Sequence, residues 1–252
     1  MTKKQAPKKR TLAKRVESKE YAASTGAATK RTTSYKGAAA KKPVPLLGKT
    51  TKQDDYIKAL GTYDQVIVYG PAGTGKTYIA ATKACNLYLT KSIDKIIITR
   101  PNVPAGPTLG LFKGTMEEKM DEWVKPVFEV LVKHLSLGAV ETGIKLGNIE
   151  VIPFETMRGR SFEDAFIILD EAQNVTPHEM KMFLTRMGEN CTVVLNGDIQ
   201  QSDIKGNSGL ATATHLADKY DIPIAVIEFG VEDIVRSDLC KQWIIAFMKE
   251  GV

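Results

Sequence analysis

Gly70-Pro71-Ala72-Gly73-Thr74-Gly75-Lys76-Thr77 is the stretch from which the fold of this chain can be read. The apolar run before it, Val66-Ile67-Val68-Tyr69, predicts a buried strand, and Tyr78 to Leu89 behind it predicts a helix. Strand, glycine-rich turn, Lys-Thr and helix make up the context in which backbone N–H groups turn inward around a polyphosphate, backed by the positive end of a helix dipole. There Lys76 reaches the β- and γ-phosphates and the Thr77 hydroxyl holds Mg²⁺. Gly70, Pro71, Ala72, Gly73, Thr74, Gly75, Lys76, Thr77 and Tyr78 are therefore candidate nucleotide contacts, and ATP and Mg²⁺ the expected cofactors. A chance glycine-rich loop would not match every fixed position between a strand and a helix.

The rest of the chain supports an α/β fold around that loop. Lys95 to Thr99, Ile149 to Ile152, Ala165 to Leu169, Thr192 to Asn196 and Ile224 to Phe229 read as further strands. Helices are expected over Thr51–Leu60, Met116–His134 (kinked or restarted at Pro126), after Thr176-Pro177, over Gly209–Tyr220, and from about Arg236 to Met248 with Trp243 and Phe247 buried. Asn102 to Lys113, with Pro104, Gly106 and Pro107, reads as a long surface loop, and Trp123 as a core aromatic. Strands alternating with helices predict one mainly parallel sheet with helices on its faces.

Charge divides the chain. Residues 1–50 carry fourteen Lys/Arg against Glu17 and Glu20, a net +12, and the remainder carries −6. With only Leu12, Val16 and Tyr35 picked out as apolar anchors, 1–50 is expected to be a disordered basic tail, and 51–252 the folded domain. A cationic arm suits nucleic acid, although it serves equally as a solubilising terminus. Cys85, Cys191 and Cys240 are scattered, which supports neither a disulfide framework nor a zinc site, and no uncharged apolar run approaches a membrane span. A cytoplasmic protein without a membrane partner is expected.

Several side chains fall where a sheet of this kind binds ligands, beyond the carboxyl ends of its strands. Asp170 and Glu171 follow the apolar run Phe166-Ile167-Ile168-Leu169; Asp170 is expected in the Mg²⁺ shell, and Glu171 as the group that polarises the attacking water. Gln201, with Gln200 in reserve, lies past the next strand as a γ-phosphate sensor. Gln53, whose amide can pair with both N6 and N7 of adenine, sits upstream of the first strand. Arg100, held extended by Pro101, and Arg158 and Arg160 around Gly159 are candidates for phosphate or nucleic acid. For each of these polar residues the plain alternative is an exposed turn or cap.

Taken in order, GPAGTGKTY (Gly70–Tyr78), ITRP (Ile98–Pro101), MRGR (Met157–Arg160), FIILDEAQN (Phe166–Asn174), MKMFLTRMG (Met180–Gly188), GDIQQ (Gly197–Gln201), NSGL (Asn207–Leu210) and EDIVRS (Glu232–Ser237) give the folded part a resemblance to the PhoH family, relatives of the superfamily-one helicase core. The resemblance implies a single RecA-like P-loop ATPase domain proposed to act on RNA, often as a ring of subunits. It supports Gln53 as adenine reader and Gln201 as sensor. It also places Arg236 on a late arginine expected to act as a finger in a neighbour's site, with Arg158 or Arg160 as alternatives. Some relatives carry a ribonuclease domain, and no acidic cluster outside the ATPase supplies one here. The basic tail and the Pro104–Pro107 stretch depart from the family pattern.

The expected function is ATP hydrolysis driving work on single-stranded RNA or DNA by a homo-oligomer, expected to be a hexamer, because one RecA-like lobe needs a second to close over ATP. A P-loop kinase is the first alternative, disfavoured because a water-activating Glu171 would waste ATP. A nucleotide-dependent assembly scaffold with little turnover is the second.

Overall fold

The chain is described by a computed structural model over residues 41–101, 124–204 and 207–250. The expectations for residues 1–40, for Asn102–Lys113 and for the helix start at Met116 with Trp123 lie outside the described residues. Helix α1 (Thr51–Thr62) leads into strand β1 (Gln65–Tyr69), the phosphate-type loop and helix α2 (Lys76–Leu89). Then come β2 (Lys95–Arg100), α3 (Lys125–Leu135), α4 (Leu137–Lys145), β3 (Ile149–Pro153), β4 (Ala165–Leu169), α5 (Pro177–Leu184), β5 (Thr192–Gly197), α6 (Gly209–Lys219), β6 (Ala225–Glu228) and α7 (Asp238–Glu250). The strands form one six-stranded sheet in the order β3-β2-β4-β5-β1-β6, with every neighbouring pair parallel.

Parallel strands buried on both faces need apolar residues at every position, which is why Ile96-Ile97-Ile98 and Phe166 to Leu169 are unbroken hydrophobic runs. Alternate residues go to opposite faces. Val66, Val68, Ile96, Ile98, Phe166, Ile168 and Val194 pack with Tyr56 and Leu60 of α1, Ile79 and Ala84 of α2, and Leu131 of α3. Ile67, Ile97, Ile167, Leu169, Val193 and Leu195 pack with Met180 and Phe183 of α5 and Leu210 of α6. The fold is thus the expected α/β domain, its P-loop at the carboxyl end of a strand lying inside the sheet.

Pro126 lies in the first turn of α3, where its missing N–H costs nothing, in keeping with the expected restart there, and a separate, unexpected helix α4 follows. The Ser136 side chain caps α4 by accepting from the Ala139 N–H, and Val140 and Gly143 form its buried face. Trp243 and Phe247 are not buried. They stack on one another at 5.8 Å and stay 59% and 52% exposed. Spacing of four put them on one face of α7, but it did not say which way that face points.

Residues 41–50, assigned from sequence to the basic tail, dock on the domain instead. Val44 exchanges two hydrogen bonds with the Asn86 side chain, Leu46 packs against the α1/α2 core, and the Lys41 ammonium donates to the Lys133 carbonyl. Proline-rich Lys42-Pro43-Val44-Pro45 carries few N–H groups of its own, and one of them is met by a side chain.

Candidate active site

The loop between β1 and α2 takes its shape from glycines. Gly75 caps α2 at φ +85°, a left-handed conformation that costs other L residues energy. At Gly73, also at positive φ, a Cβ would lie 2.6 Å from Arg236 Cγ. Thr74 is fully buried, and its hydroxyl donates to the Pro71 carbonyl at 3.0 Å. The Lys76 ammonium folds back over the loop and donates to the carbonyls of Gly70 (2.6 Å) and Pro71 (2.9 Å). Burial pushes its pKa down, and the carboxylates of Asp198, Asp170 and Glu171 pull part of that back.

Asp170 faces this loop from the end of β4. The Thr77 hydroxyl donates to its Oδ1 at 3.0 Å, so the residues expected from sequence to share a cation do meet. Burial, and then the neighbouring Glu171 charge, raise the Asp170 pKa, opposed by Arg100 and by hydrogen bonds from Thr77 and Asn196. A hydroxyl beside a carboxylate is a hard-oxygen donor set suited to Mg²⁺. Among the described residues no group of three or more His, Cys, Asp or Glu is placed to hold a metal, so a cation at Thr77 and Asp170 would take its other ligands from phosphate and water.

Glu171 adopts φ +53°, an unfavourable backbone state for a non-glycine residue and one that clusters at functional sites. Its carboxylate is held on both sides, by the Arg100 guanidinium 3.6 Å from Oε1 and by the Gln173 amide donating to Oε2 at 2.6 Å. Gln173, only 1% exposed, also accepts the backbone N–H of Asp198 at 3.0 Å, which ties the turn after β4 to the turn after β5. Ser202, donating to the Gln173 carbonyl, and Asn174, paired with Asp203, add three more links across the same gap. Asp198 completes the acidic wall; burial raises its pKa, with the Gln200 N–H and Lys76 opposing. Gln173 and Asp198 were missed from sequence, although both lie inside the quoted motifs. The signal for Gln173 was an amide inside a turn whose neighbours Ala172, Asn174 and Val175 are all buried; Asp198 had only its place just past β5.

The remaining candidates separate. Gln53 is buried, and its amide donates to the Thr74 carbonyl at 2.8 Å and accepts from the Lys49 N–H at 2.7 Å. It braces the loop, and its amide inventory still leaves one N–H and one lone pair for a base edge. Tyr78, in the first turn of α2, is partly exposed beneath the Lys133 ammonium. Gln200 and Gln201 sit on an exposed 3₁₀ turn, and the Gln201 N–H closes that turn on the Asp198 carbonyl. Arg100 is part of the site through Glu171.

Arg236 lies over its own chain's Gly73, and the adjacent Val235 N–H donates to the Gly73 carbonyl at 3.0 Å. The segment after β6 is thus stitched to the loop of the same chain. The Arg160 guanidinium donates to Glu150 at 2.5 Å and lies over the Phe162 ring. Arg158 is exposed beyond β3, the sheet edge four strand spacings (about 19 Å) from β1.

A family model described as PhoH-like protein matches residues 45–248. The protein PhoH of Escherichia coli (strain K12) is 42% identical over 207 residues, covering 81% of this chain and 58% of that protein. The PhoH-like protein of Bacillus subtilis (strain 168) is 43% identical over 205 residues, covering 81% of this chain and 64% of that one. The chain therefore spans less than two thirds of the length of these relatives. Among solved structures, the HK97 bacteriophage large terminase aligns over 73% of this chain and 39% of its own (TM-score 0.44, 16% identity). The Pif1 helicase of Candida albicans aligns over 73% and 40% (TM-score 0.38, 16% identity). With sequence identity above 40% over most of its length and one family model running through the whole described domain, this chain belongs to the PhoH family.

Proposed function

We propose that this chain hydrolyses ATP with Mg²⁺ and couples that hydrolysis to work on single-stranded nucleic acid, RNA before DNA, as a ring of subunits. The observation that carries the hydrolytic part is the 3.0 Å bond between Thr77 and Asp170, with the Lys76 ammonium in the field of both Asp170 and Glu171. Bound Mg²⁺ would offset the charge on the transferring phosphate. Lys76 would exchange the carbonyls of Gly70 and Pro71 for phosphate oxygens, a stronger charge-assisted pairing. Glu171, anchored by Gln173, would accept the proton of the attacking water, a contribution of about 10²–10⁴ in rate.

The nucleic-acid part rests on the basic segment at residues 1–50 and on Arg100 at a strand end. The ring rests on the expectation that a RecA-like lobe closes over ATP with a second one and that Arg236 crosses to a neighbour's site; Arg158, exposed in the turn that follows β3, and Arg160 are the alternatives. Phosphate release from ATP without an added acceptor, titrated with single-stranded RNA and DNA and paired with light scattering, tests the proposal. Release stimulated by a strand is expected. Release only with an acceptor means a kinase, unstimulated slow release means a scaffold, and a monomer with and without ATP removes the ring.

A further inference from the structure

Asn196 follows Val193-Val194-Leu195 in β5, 1% exposed, on a strand covered on both faces. Its carbonyl oxygen accepts the Tyr56 hydroxyl at 3.4 Å, while its amide nitrogen makes no hydrogen bond of ordinary length among the described residues. A buried donor in that state is costly and rare, so it needs a reason. The strand register gives one. Leu169 of β4 pairs with Leu195 of β5, so Asp170 and Asn196 follow side by side on strands about 4.8 Å apart. Alternation turns both away from the face that buries Leu169 and Leu195, toward the face that holds Tyr56. The Asn196 amide is also among the groups that draw the Asp170 pKa down against burial. A carboxylate only accepts, so the amide presents its N–H to Asp170 and its carbonyl to the Tyr56 hydroxyl. Tyr56 is fixed in turn. It is fully buried, packs edge-on to Phe229 with ring centroids 6.1 Å apart, and lies one turn along α1 from Gln53, which donates to the Thr74 carbonyl.

We propose that Asn196, held by Tyr56, is a positioning residue that turns the Asp170 carboxylate toward the cation of a bound magnesium–nucleotide. Asp170 gives Oδ1 to the Thr77 hydroxyl, and a carboxylate held at one point can swing about it. The Asn196 N–H supplies the second point, as groups behind a metal site commonly do. The inference rests on reading Thr77 and Asp170 as a shared cation site, and it deepens the proposed function by naming what orients that site. It also accounts for an amide placed in the middle of an apolar sheet.

The test uses the full chain and a non-hydrolysable fluorescent ATP analogue, with affinity measured in Mg²⁺ and again in EDTA, so that the cation's contribution is read apart from that of the nucleotide. Wild type should bind tighter with Mg²⁺, and Asp170→Asn should lose most of that gain. If either result fails, the cation site itself is misassigned and the proposal falls with it. Asn196→Leu, close in size, should weaken binding about tenfold with Mg²⁺ and no more than about twofold in EDTA. Tyr56→Phe removes only a hydroxyl and stands in should the Leu variant misfold; about threefold weaker binding with Mg²⁺ is expected of it. The double variant should bind no more weakly than Asn196→Leu alone, because Tyr56 acts through Asn196. With Asp170→Asn behaving as expected, three results overturn the proposal. Equal losses with Mg²⁺ and in EDTA would mean a packing role, unchanged Mg²⁺-dependent binding in a folded Asn196→Leu would mean that the amide orients nothing, and losses that multiply in the double variant would mean that Tyr56 acts by another route.

Discussion

Replacing Gln173 separates a side chain that merely fills space from one that aims the base. Its amide makes two bonds, one to Glu171 at 2.6 Å and one from the Asp198 N–H at 3.0 Å, inside a site where it is 1% exposed. In Gln173→Ala the Glu171 carboxylate, more than a third exposed, recovers water, so its loss contributes little to stability. The Asp198 N–H is left without its acceptor, at about 1–3 kcal/mol, and the vacated volume adds to that. A total near 2–4 kcal/mol lowers Tm by about 5–12 °C in a domain of this size. Turnover should fall further than stability predicts, by about 10²-fold, because a misplacement of the base near 1 Å costs that much. Gln173→Glu distinguishes the two effects. It keeps the volume and the acceptor for the Asp198 N–H but replaces the amide donor to Glu171 by a second carboxylate, which repels it. Turnover should therefore fall by a similar factor although no volume is vacated. Phosphate release alongside thermal melting measures both. A folded Gln173→Ala or Gln173→Glu variant turning over at the wild-type rate would refute the positioning role.

Three other outcomes follow from the geometry. Gly73→Ala, at φ +84° with its new Cβ 2.6 Å from Arg236 Cγ, should lose at least about 1 kcal/mol in melting and most of its nucleotide affinity by calorimetry. Burial raises the Asp170 pKa, so the charge is a liability to the folded chain above that pKa; Asp170→Asn should melt higher at pH 8 than wild type, with the gain vanishing below pH ~4, while phosphate release falls to background. Against burial, which raises it, hydrogen bonds from Arg160 and Lys95 hold Glu150 below the usual carboxylate range. Their contribution is present above the unfolded pKa and lost as pH falls through the lower folded one, so Arg160→Ala should cost roughly 0.2–1 kcal/mol at pH 7 and less at pH ~3 by denaturant titration.

What could be read from the chain before any coordinates was what is local. A parallel strand covered on both faces must be apolar throughout, so Ile96-Ile97-Ile98 and Phe166 to Leu169 announce themselves. The loop from Gly70 to Thr77 carries its chemistry in consecutive residues, and Asp170 and Glu171 end a strand of obvious character. What escaped notice depends on contacts between distant segments. Gln173 acquires its role from Asp198, 25 positions away, and Arg236 from Gly73, which no spacing rule connects. The pairing of Arg160 with Glu150 was hidden because Glu150, ten residues earlier, carries no mark of facing it across the end of an edge strand. Helix α4 was hidden by Gly138 and Gly143, although the second packs against Ile149 with no room for a Cβ. For Trp243 and Phe247, periodicity defines a face but not its surroundings.

The most direct measurement is the pairing of ATP affinity with ATP turnover in Glu171→Gln. The substitution keeps shape while removing the group that takes the proton from water. Fluorescent-ATP binding within about threefold of wild type, together with phosphate release reduced by about 10²-fold or more, is the predicted result. Hydrolysis at the wild-type rate in that variant would contradict the claim that Lys76, Asp170 and Glu171 form one hydrolytic centre.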